Sequence, residues 1–77
     1  MNKKFYLQIV TAHKDGTFSR SDAVPLSPLN TALDEADKIQ RAFDMDCDPA
    51  RSYVLDEMMV PIYAGGQLQK PSFSVAD

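Results

Sequence analysis

The sequence predicts an α+β fold, a ββαββ two-layer sandwich in which a four-stranded antiparallel sheet carries one helix on one face. Three observations predict it. Apolar residues alternate with period two near the start of the chain. They recur at helical spacing in the middle. Two short runs rich in β-branched and aromatic residues then follow, separated by turn residues.

The first strand is expected over residues 3–12. There Phe5, Leu7 and Ile9 alternate with Tyr6, Gln8 and Val10, and apolar bulk on both faces suits a central position in the sheet. Asp15-Gly16 directly after it is a hairpin signal, because glycine reaches positive φ without steric penalty. The second strand, 17–24, alternates weakly: Arg20 and Asp22 lie between Phe18 and Val24, as on an edge. Pro25 and Pro28 end it. A helix is expected over 28–43, with Ser27 capping ahead of Pro28 or with Thr31 as the cap. Leu29, Ala32, Leu33, Ala36, Ile39 and Phe43 form its apolar stripe. Asp34, Glu35, Asp37, Lys38 and Arg41 lie opposite, with Asp34–Lys38 and Asp37–Arg41 as favourable i,i+4 pairs. Strands at 51–56 and 59–64 close the pattern around a turn at Asp56-Glu57-Met58. Pro61 cannot donate a ladder hydrogen bond, so the last strand should be an edge or bulged. Gly65-Gly66 ends it. One domain thus spans 1–66, and 67–77 reads as a tail that is either flexible or laid over the core through Leu68 and Phe73.

A chain of 77 residues, 44% of them apolar, makes one small core. The net charge is −3, which disfavours direct nucleic-acid binding. A single cysteine, Cys47, excludes an internal disulfide and suits a reducing, cytoplasmic setting. The run after Met1-Asn2-Lys3-Lys4 is short and interrupted by Gln8, so neither a signal peptide nor a membrane span is expected.

No motif carries chemistry. Asp44, Asp46 and Asp48 have the spacing of the first three ligands of an EF-hand loop, but Pro49 stands where that loop needs glycine and Leu55 where it needs glutamate. No metal is therefore expected. His13 and Cys47 are distant in sequence and form no nucleophile–base signature. Gly65-Gly66 lacks the lysine of a phosphate loop. Tyr6, Tyr53 and Tyr63 lie on strands, where exposed rings could stack bases, but base stacking needs flanking basic residues and the neighbourhood of Tyr53 and Tyr63 is acidic. No catalytic residue, cofactor or metal site is assigned.

The charge is polarised along the chain. Between Asp34 and Glu57 stand eight acidic residues against Lys38, Arg41 and Arg51, whereas the first twenty residues hold Lys3, Lys4, Lys14 and Arg20 against Asp15. Asp34, Glu35, Asp37, Asp44, Asp46 and Asp48 are accordingly expected to form one exposed negative surface that docks a basic partner. The functional expectation is a small acidic, non-enzymatic protein-interaction module, an inhibitor or adaptor of the kind made by phages and mobile elements. The first alternative is a structural or homodimeric protein pairing through sheet edges, with Met58, Met59 and Val60 as apolar contacts. A small ligand binder or enzyme subunit is the second.

Overall fold

The computed structural model describes residues 3–67. The expected tail from residue 68 onward lies outside the described residues. Elements run in the order β1 (Tyr6–Ala12), β2 (Phe18–Arg20), β3 (Val24–Pro25), α1 (Leu29–Met45), β4 (Ala50–Leu55) and β5 (Pro61–Ala64). They form an antiparallel sheet of order β2-β1-β4-β5, with β3 also paired to β1, and α1 covers one face.

The apolar alternation of β1 places it at the centre, between β4 and the β2–β3 run. The single second strand of the sequence reading is broken in two. Ser21 explains the break: its hydroxyl accepts the Ile9 N–H at 2.9 Å, and its own N–H donates to the Ile9 carbonyl at 2.9 Å. A side chain thus replaces one rung of the ladder, and Asp22 and Ala23 stay out of the sheet before β3 resumes pairing with Tyr6 and Leu7. Pro61 behaves as its chemistry requires. It opens an edge strand, and the register shifts between Val54 and Leu55 opposite it.

The two hairpins share one turn geometry. In the first, His13 N–H reaches Thr17 O at 2.9 Å and Gly16 N–H reaches His13 O at 3.1 Å, with Gly16 at φ +87°. In the second, Asp56 N–H reaches Val60 O at 3.0 Å and Met59 N–H reaches Asp56 O at 2.9 Å, with Met59 at φ +63°. Both are three-residue loops closed by a left-handed residue. Glycine fills that position in one and methionine in the other.

Helix α1 starts at Leu29 with Pro28 at the cap position and no side-chain cap. Neither expected cap is used, and Ser27 Oγ instead accepts the Phe5 N–H at 3.4 Å. The helix ends in a Schellman arrangement: Asp48 N–H donates to Phe43 O at 2.9 Å and Cys47 N–H to Asp44 O at 3.2 Å, with Cys47 left-handed at φ +54°.

The core gathers Phe5, Leu29, Ala32, Leu33, Ala36, Val54 and Tyr63. The expected helix stripe is buried as far as Ala36 and then turns. Ile39 and Phe43 are only half-buried on one flank, and Gln40 takes the centre of the face at 1% exposure. Its amide substitutes for a missing strand. Beyond Gly65, β5 no longer pairs with β4, so Ala50 and Ser52 would present open backbone groups. Gln40 Oε1 accepts the Ser52 N–H at 2.9 Å, and Gln40 Nε2 donates to Ala50 O at 3.4 Å and to Asp44 Oδ1 at 3.0 Å. Buried Ser52 donates its hydroxyl to the Ala36 carbonyl at 2.7 Å. Among the described residues every buried side-chain polar atom has a partner, as a small core requires.

Candidate functional site

The structure redistributes the six acidic residues nominated from sequence. Asp34, Asp44, Asp46 and Asp48 are exposed, whereas Glu35 and Asp37 are half-buried. The expected exposure of Asp37 is corrected by its contacts. One carboxylate oxygen accepts the Tyr63 hydroxyl at 2.6 Å and the Gly66 N–H at 2.8 Å, which latches α1 to the end of β5. Asp44, two turns further along the same flank, accepts from Gln40. Asp48 accepts the Ala50 N–H at 3.0 Å and so starts β4. Half of the expected docking surface is therefore occupied in building the fold. The latch also sets the Tyr63 phenol. Burial first, then the hydrogen bond to the Asp37 carboxylate and the nearby charges of Asp37 and Asp34, push its pKa up to about 12.

His13 stands at the end of β1 and shares a hydrogen bond with the Ser19 hydroxyl, while exposed Cys47 closes the helix. No contact joins them. Among the described residues no three side chains of His, Cys, Asp or Glu converge as metal ligands would. Nor is any helix among them long and apolar enough to cross a membrane.

The surface that remains is the sheet face away from α1. Register fixes its composition. Val10 pairs with Arg20 on one side and with Arg51 on the other, so two arginines straddle one valine across three strands. Gln8 pairs with Tyr53, which in turn pairs with Ala64, and Phe18 pairs with Ala12. Among the described residues no second layer covers these side chains. They line an open groove of about 440 Å³, bounded by Phe18, Arg20, Tyr53 and Met59, and a smaller one of about 170 Å³ reaching Pro49 and Arg51. Phe18 stands 67% exposed at the join of the two, Met59 adds apolar surface to the larger one, and its chain neighbours Met58 and Val60 are exposed as well.

Among the described residues no carboxylate lines either groove. The acidic neighbours of Tyr53 in sequence thus give way in space to Arg20 and Arg51. Sequence reasoning missed this face because its side chains come from four separate segments. The available signal was parity: Gln8, Val10 and Ala12 alternate with the core-facing positions of β1, and Arg51 and Tyr53 do the same in β4.

The backbone adds a second mark. Met59 holds a left-handed conformation in which a side chain other than glycine costs roughly 1 kcal/mol. Its turn position is the one Gly16 fills in the first hairpin, yet a large, half-exposed side chain is placed there, at the groove rim. No family model matches the chain, and neither a curated protein nor a solved structure matches it.

Proposed function

We propose that this protein is a small acidic, non-enzymatic protein-interaction module of inhibitor or adaptor type, working in a reducing compartment such as the cytoplasm, and that it binds through the open face of its sheet. The observation that carries the reading is the row of Arg20, Val10 and Arg51 beside Phe18, Tyr53 and Met59, which no other described residue covers. Arginine, aromatic residues and methionine are the types enriched where protein surfaces meet. A lone exposed Cys47 supports the compartment. Pairing of copies through sheet edges has less support. β2 and β3 are short and interrupted, β5 opens with Pro61, and the Gln40 amide fills the β4 edge beyond it.

The test compares three baits in extracts of the native host: the wild type, a Phe18→Ser/Tyr53→Ser variant of the open face, and an Asp34→Asn/Asp46→Asn variant of the helix layer. Urea midpoints confirm that each is folded. A partner kept by the helix-layer variant and lost by the open-face variant supports the proposal. Loss in the helix-layer variant alone would move the contact to the acidic surface, and identical recovery by all three baits would refute both.

A further inference from the structure

We infer that the open face takes an acidic segment of another protein that carries one large apolar side chain, with its carboxylates on Arg20 and Arg51 and its apolar side chain in the groove between Phe18 and Tyr53. This rests on the open-face reading and deepens it by naming the chemistry of the partner.

The first support is charge. Two strand spacings separate Arg20 from Arg51, so their Cα atoms stand about 10 Å apart, with only Val10 between them in the row. Like charges placed so close on one face are complemented by anions from outside, because among the described residues no carboxylate lines either groove. The Arg51 guanidinium donates to the Gly65 carbonyl at 3.4 Å, which uses one of its five N–H donors and steadies it over the sheet. Arginine presents the fork that grips a carboxylate through two bonds.

The second support is polarity of the whole molecule. The exposed carboxylates Asp34, Asp44 and Asp46 belong to the helix layer and its C-terminal end, behind the sheet, while exposed Asp15, Asp22 and Glu57 stand on the loops between strands and line neither groove. At physiological salt, screening acts over about 8 Å, so a segment arriving at the open face meets the arginines before the acidic layer. The same acidic layer turns an acidic segment away from the back of the molecule.

The third support is the apolar floor. Val10, Phe18, Tyr53 and Met59 offer an aromatic-lined groove whose 440 Å³ falls in the range of ligand pockets, about 300–1,000 Å³. A nucleic acid strand would also find aromatic rings here, but it needs a basic track along its backbone. A chain of net charge −3 with two arginines on this face offers no such track.

The experiment titrates the isotope-labelled full chain with three blocked pentapeptides, Asp-Asp-Phe-Asp-Asp, Lys-Lys-Phe-Lys-Lys and Asp-Asp-Ser-Asp-Asp, and with a decamer of oligouridylate, at physiological salt. The expected result is saturable shifts of Gln8, Val10 and Tyr53 amides with the acidic phenylalanine peptide alone. Binding should weaken about fivefold in Arg20→Gln/Arg51→Gln and recover in large part in Arg20→Lys/Arg51→Lys. Equal binding of the lysine peptide on the same amides would overturn the acidic preference and leave the open-face reading standing. Tighter binding of oligouridylate would overturn both. No shift on this face with millimolar peptide would overturn the inference, while the bait comparison still decides the open-face reading.

Discussion

At Gly65 the end of the sheet lies close against the helix backbone, and substituting it tests the packing sharply. A Cβ added there would lie 2.5 Å from the Ala36 carbonyl oxygen and 3.0 Å from its carbon, and closer still to Ser52 Oγ. Ordinary contact begins near 3.4 Å, so Gly65→Ala must push α1 and the end of β5 apart by about 1 Å. The helix backbone cannot rotate away as a side-chain tip could. Overpacking of this kind costs about 1–3 kcal/mol. The shift also stretches the Ser52–Ala36 and Ser52–Gln40 hydrogen bonds, each contributing about 1 kcal/mol. The expected loss is therefore about 3–5 kcal/mol, out of roughly 4–12 kcal/mol for a domain of this length. Urea unfolding at unchanged slope measures it. Gly16→Ala is the control: nothing lies within 4 Å of its added Cβ, so only the φ of +87° is penalised, by about 1 kcal/mol. Adding Ser52→Ala to Gly65→Ala should cost less than Ser52→Ala alone, because it removes the nearest clash. A Gly65→Ala loss below 1 kcal/mol, or equal to that of Gly16→Ala, would refute the close approach.

Leu33 is 2% exposed in the centre of the core, so Leu33→Ala should cost about 2–5 kcal/mol, and a calorimetric loss under 1 kcal/mol would contradict its burial. Tyr63→Phe removes the hydroxyl from Asp37 and should cost about 1–3 kcal/mol at neutral pH. The phenol pKa rises from 10 in the unfolded chain to about 12 when folded, so its contribution is complete below pH 10 and is lost as pH rises from 10 to 12. Wild-type stability should fall across that window and Tyr63→Phe should lack that share of the fall; parallel alkaline curves would contradict the latch. Met59→Gly and Cys47→Gly each relieve a left-handed side chain and should each stabilise by up to about 1 kcal/mol. Only Met59→Gly should also weaken partner binding, and a pair of variants with equal binding would remove Met59 from the contact surface.

The fold was legible wherever local chemistry and tertiary role agree. Asp15-Gly16 makes a hairpin with or without a core behind it, and Leu29 to Ala36 must be buried somewhere. Pro61 must disturb any ladder it joins. The reading failed where a polar residue does the work of backbone. Gln40 carries no apolar signal and stands outside the expected stripe, and only the shortfall of β5 opposite Ala50 and Ser52 brings it inside. Gly65 reads as a stop because its reason, the Ala36 carbonyl, lies a helix away. Asp37 reads as one more surface charge until the Tyr63 hydroxyl and the Gly66 N–H are placed beside it. The groove has the same character. Arg20 and Arg51 become neighbours of Val10 only when the strand order is known, and that order is not written in either strand alone.

The open sheet face is tested most directly by a photoreactive phenylalanine analogue placed at Phe18 and, in a separate protein, at Lys38 on the exposed side of α1, each irradiated in the native host. A working open face predicts one discrete protein adduct from position 18, competed away by unmodified wild type, and none from position 38. A discrete adduct from position 38 with none from position 18 would contradict it.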